Sequence, residues 1–111
     1  MYEIKARARD LSSSILRSKE YRSYIENYEE IKNDEFLMVR LNGLRKKRFG
    51  LQYNDGSNMK QHMDELYNEF RDVYENDKAR RFLDSEMALC RMLQKVNRAV
   101  LTDLEMNLDF L

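Results

Sequence analysis

The sequence predicts an all-α protein of about five helices, a bundle or hairpin array with a long C-terminal helix. Three observations predict it. Apolar residues recur at steps of three and four along most of the chain, the spacing that gathers side chains on one side of an α-helix. The chain has no proline, the residue that breaks helix interiors. Turn chemistry is confined to a few places, the clearest being Asn54-Asp55-Gly56-Ser57, where asparagine, aspartate and glycine all favour a reversal of the backbone.

The first helix is expected from Tyr2 to Arg17, with Ile4, Ala8, Leu11, Ile15 and Leu16 on its buried face and Ser12 to Ser14 weakening it locally. Ser18 reads as the N-cap of the next helix, and Glu20 complements the dipole in its first turn. That second helix runs from Lys19 to about Lys32 and turns Tyr21, Tyr24, Ile25, Tyr28 and Ile31 inward. Asn33-Asp34 stops it and caps a third helix, about Glu35 to Leu51, which buries Phe36, Leu37, Leu41, Leu44 and Leu51. Gly43 and Gly50 each weaken this helix by about 1 kcal/mol relative to alanine, so each marks a close contact or a break. A fourth helix from about Asn58 to Tyr74 aligns Met59, Met63, Leu66, Phe70 and Val73. Asn76 then caps the last helix, whose stripe of Ala79, Phe82, Met87, Cys90, Leu93, Val96, Val100, Leu104 and Leu108 continues towards Leu111. Phe82, Leu93 and Val100 are expected core positions.

A length of 111 residues suits one domain, residues 1–111. Twenty basic and twenty acidic residues cancel, so no global field draws the chain to nucleic acid or membrane. The single cysteine, Cys90, excludes an intramolecular disulfide and suits a reducing compartment. Charges fill the N-terminus, Met1 to Arg9, where a signal peptide needs an apolar run of about 7–15 residues. Nowhere do about 20 apolar residues follow one another. The expectation is a soluble, cytoplasmic protein.

The strongest local charge is Arg45-Lys46-Lys47-Arg48, with Arg40 shortly before it. Such a cluster can dock RNA, DNA or an acidic protein by exchanging counterions for phosphates or carboxylates. The favoured reading is a solvated helix face, because four consecutive residues encircle a helix and cannot all meet one ligand. Tyr21, Tyr24 and Tyr28 follow core spacing, which favours packing over base stacking. Met59, Met63, Met87 and Met92 offer a soft contact surface, though packing is their default role. His62 has no second histidine with which to bind a metal. Glu69, Asp72 and Glu75 read as a solvated acidic face, and Cys90 on its apolar stripe reads as a small hydrophobe. No catalytic, metal or cofactor site is expected, and the chain is not expected to be an enzyme.

Several segments recur in a telling order: Ala6 to Leu11 with Ile15-Leu16, then Ser18 to Tyr21 with Tyr24 and Tyr28, then Asn33-Asp34 opening a helix. Asn76-Asp77 ahead of Phe82, Leu83 and Glu86 follows, then Leu89, Met92, Leu93, Val96 and the acidic-apolar stretch from Leu104 to Phe110. In this order they resemble the YlbF/YmcA family of small helical regulators from Gram-positive bacteria. The resemblance implies an all-α fold that tends to dimerise, and a non-enzymatic partner in a complex that modulates the endoribonuclease RNase Y. Through mRNA processing, that complex affects competence, biofilm formation and sporulation. Some members carry extra cysteines linked to an iron–sulfur cluster, a ligand set that Cys90 alone does not supply.

The apolar faces exceed what a slim monomer covers, so a homodimer is expected. Its expected contacts are Phe36, Leu41, Leu44, Met63, Leu66 and Phe70, with Tyr67 at the margin. The expected function is that of a regulatory adaptor whose partners are RNase Y or other family members. The competing expectation is direct RNA or DNA binding through Arg40, Arg45, Lys46, Lys47 and Arg48.

Overall fold

The three- and four-residue spacing becomes six helices in a computed structural model that describes residues 1–51 and 58–104. They are α1 (Tyr2–Leu16), α2 (Lys19–Ile31), α3 (Glu35–Leu51), α4 (Met59–Glu69), α5 (Arg71–Tyr74) and α6 (Asp77–Leu101). No strand occurs among the described residues. The fold is all-α, as expected.

Side-chain caps start three of these helices where the sequence placed them. The Tyr21 N–H donates to Ser18 Oγ at 3.1 Å, the Leu37 N–H to Asp34 Oδ1 at 3.0 Å, and the Ala79 N–H to Asn76 Oδ1 at 3.0 Å. Each satisfies an amide that the first helical turn leaves without a backbone acceptor.

Two elements differ from expectation. The helix expected from Asn58 to Tyr74 is interrupted at Phe70, whose φ of −112° and ψ of 31° leave the helical range. There the Val73 N–H turns to the Phe70 carbonyl at 3.0 Å, so the Glu69 carbonyl loses its normal helical donor. Arg40 Nη2, reaching across from α3, donates to that carbonyl at 2.7 Å. The break is thus completed by a distant residue. The last helix, in turn, ends at Leu101 with Thr102 as its C-cap, where Thr102 Oγ1 donates to the Arg98 carbonyl at 2.6 Å. The turn expected at 54–57, and the expected continuation through Leu108 to Leu111, lie outside the described residues.

The core sits where α2 to α6 converge. Ile31, Leu37, Leu41, Leu44, Leu66, Phe70, Val73, Ala79, Phe82 and Leu83 form one buried cluster, flanked by Tyr24, Met38, Leu51 and Tyr74. Phe82 is its largest fully buried side chain. Tyr24 and Tyr28 of α2 lie on the Phe82 ring, with centroids 5.2 and 6.2 Å away. The Phe70 ring packs beside Gly43, where a Cβ would meet it at 3.5 Å, an ordinary van der Waals contact.

Several expected core positions are instead exposed. α1 buries none of its residues, and Ile4, Leu11 and Leu16 face solvent. Phe36 is 76% exposed because α3 turns Leu37, Leu41 and Leu44 inward, a phase one residue away. Leu93 and Val100 are exposed, whereas Ser85 and Leu89 lie on the covered face of α6.

The radius of gyration is 17.2 Å, against about 13 Å for a compact chain of this length. The smallest dimension is 18 Å, room for about two helix layers. In so thin a slab the core is a junction, and helix ends project beyond it.

Candidate functional site

The basic residues of α3 separate into three groups. Arg40 faces α5, where Nε and Nη2 donate to the two Asp72 carboxylate oxygens at 3.1 and 2.7 Å. Its guanidinium also stands 4.6 Å from the Phe70 ring centroid. Lys47 faces the same way and pairs with Glu69 at 2.5 Å. Arg45 turns towards α6, pairs with Glu86 at 2.5 Å, and covers the Phe82 ring at 5.3 Å. None of the ion pairs among the described residues includes Lys46 or Arg48.

The acidic row expected to be merely solvated is therefore partly a structural counterpart. Glu69 and Asp72 tie the α4–α5 break to α3. The Arg40 hydrogen bond is the main cause that holds the Asp72 carboxyl below its ordinary value, and the same bond raises Arg40. Lys32, hydrogen-bonded to Glu29 one turn earlier on α2, is likewise raised. All these pairs are partly exposed, so water screens them.

The residues expected at a dimer contact divide as well. Leu41, Leu44, Leu66 and Phe70 are enclosed in the chain's own core and offer no surface to a partner in this conformation. Phe36, Met63 and Tyr67 remain exposed on the outside. Sequence spacing had merged two faces of α3 and α4 into one.

Between α3 and α6 lies a groove of about 610 Å3 that sequence reasoning did not anticipate. Leu83, Met87 and Cys90 of α6 and Phe49 of α3 supply its apolar surface, and Arg45, Lys46 and Arg48 its basic one. Cys90 is exposed here rather than packed as a small hydrophobe. The helical spacing of Leu83, Met87 and Cys90 was legible, but nothing local announces that α3 and α6 leave a cleft beside them.

Among the described residues no group of three histidine, cysteine, aspartate or glutamate side chains could hold a metal ion. No helix among them is long and apolar enough to cross a membrane. The arrangement offers apolar contact and charge pairing, the chemistry of binding.

A model of the family described as control of competence regulator ComK, YlbF/YmcA, matches residues 4–105. No curated protein and no solved structure matches the chain.

Proposed function

The chain belongs to the YlbF/YmcA family, whose description is one of regulatory control, and from that premise we propose that it is a non-enzymatic adaptor. It acts by binding other proteins, and the process it tunes is RNase Y-dependent mRNA processing, with competence, biofilm formation and sporulation downstream. The observation that carries this reading is the family match across residues 4–105. Supporting it, Arg40, Arg45 and Lys47 are engaged by carboxylates of their own chain, which reduces what α3 can offer to phosphates.

Self-association belongs to the same proposal. Phe36, Met63 and Tyr67, with the apolar residues that α1 and the second half of α6 leave uncovered, are the surface such a contact would use. Sedimentation at tens of micromolar should give a dimer, and a monomer alone would remove this part of the proposal.

Affinity purification of the tagged chain from its native cell, followed by mass spectrometry, tests the adaptor role. Recovery of RNase Y or of other family members is the expected result; recovery of neither overturns it. A titration with labelled RNA should find little binding at physiological salt. Tight binding that weakens steeply with salt would replace the adaptor with a direct nucleic-acid binder.

A further inference from the structure

The groove between α3 and α6 combines an apolar surface with charge that its own walls do not neutralise. Arg45 is matched by Glu86. Lys46 and Arg48 enter none of the ion pairs among the described residues, in a chain whose formal net charge is zero. The positive excess is therefore local. Beside it, Met87 is 37% exposed, so the groove presents a flexible thioether that can adapt to an occupant.

The walls also fix the form of that occupant. The lining residues run from Asn42 to Phe49 on α3 and from Leu83 to Cys90 on α6, each about 10 Å of helix, or two turns. A cleft between two helices accepts a third through apolar side chains at positions i, i+3 or i+4, and i+7. No strand exists among the described residues to pair with an extended peptide. Phosphates alone would meet the cations and leave Met87 and Cys90 in water.

We infer that the α3–α6 groove docks an amphipathic helix of a partner protein, apolar on the side facing Met87 and Cys90 and acidic beside Lys46 and Arg48. This inference rests on the reading of the chain as a protein-binding regulator, and it supplies the chemistry of the partner segment.

The test uses the full chain and a designed helical peptide of about 15 residues, with leucines at the anchor spacing and glutamates on the flanks. A second peptide carries lysines in place of the glutamates. Binding is read by fluorescence anisotropy and by the rate at which a thiol reagent modifies Cys90, the chain's one cysteine. The glutamate peptide should bind and protect Cys90; the lysine peptide should do neither. The double variant Lys46→Glu/Arg48→Glu should weaken glutamate-peptide binding on the order of tenfold, with an unchanged melting curve. Equal binding of the two peptides, or unchanged Cys90 reactivity at saturation, overturns the inference. Protection of Cys90 by single-stranded RNA but not by the glutamate peptide assigns the groove to nucleic acid and overturns it too. The adaptor reading is judged separately. If the wild-type chain and the double variant recover RNase Y equally while the glutamate peptide fails to bind, the groove is wrong and the adaptor stands. If the wild-type chain recovers neither RNase Y nor other family members, the adaptor reading fails, and the peptides still decide the groove.

Discussion

From Ala79 to Leu89, α6 buries Ala79, Phe82, Leu83, Ser85 and Leu89, whereas towards its end the same helix leaves Leu93 40% and Val100 57% exposed. The apolar spacing barely changes between the halves. What changes is the company. The first half meets α2, with Tyr24 and Tyr28 on the Phe82 ring, and shares a core with Leu41 and Leu44 of α3 and Val73 of α5. The second half projects beyond that junction. Periodicity states which residues share a face; it does not state whether another helix covers it.

The strongest way to break this contrast is Phe82→Ala. Removing a fully buried ring should lower stability by about 3–5 kcal/mol, because the transfer and cavity terms add. That is a large part of a small domain's total, and chemical denaturation reads it directly. A variant as stable as the wild-type chain would mean that the two halves of α6 are equivalent after all.

A smaller loss is expected for Arg40→Ala, which removes the Asp72 pair and the donor to the Glu69 carbonyl together. Its signature should be local. Amides of α5, around Val73 and Tyr74, should exchange faster while those around Phe82 keep their protection. Uniform loss of protection would instead make Arg40 part of the global core.

Acid should reproduce part of that effect. Asp72 is held below its ordinary value by Arg40, so the pair's contribution is present above the unfolded carboxyl value of about 3.9. It is lost as pH falls through the lower folded value. Asp72→Asn should accordingly differ from the wild-type chain at neutral pH and converge with it in strong acid. A difference that grows on acidification would reverse the assigned sign.

The smallest effect should come from Leu93→Ser and Val100→Ser. In dilute protein each should change stability by no more than about 0.5 kcal/mol, as surface substitutions do. A loss that appears only as concentration rises would place these residues in the proposed self-contact and sharpen the comparison.

The helix starts were legible because a cap is local chemistry. Ser18, Asp34 and Asn76 each bond an amide three residues on, whatever the rest of the chain does. The break at Phe70 was not legible, since it is completed by Arg40, some thirty positions earlier on another helix. The basic cluster was half legible. Its sequence said that the cations must diverge around α3, and spacing could not say that Arg45 finds Glu86 while Lys46 and Arg48 enter no ion pair among the described residues.

By itself, then, the sequence determined the all-α class, the capped starts of α2, α3 and α6, and the family, all of which reside in residue order and short-range spacing. Tertiary structure alone decided that Leu41, Leu44, Leu66 and Phe70 are buried in the chain's own core, that Cys90 is exposed, and that a groove opens between α3 and α6. The physical reason is reach. A helix forms from bonds between residues four apart, but burial depends on which distant helix arrives, and at what phase and distance.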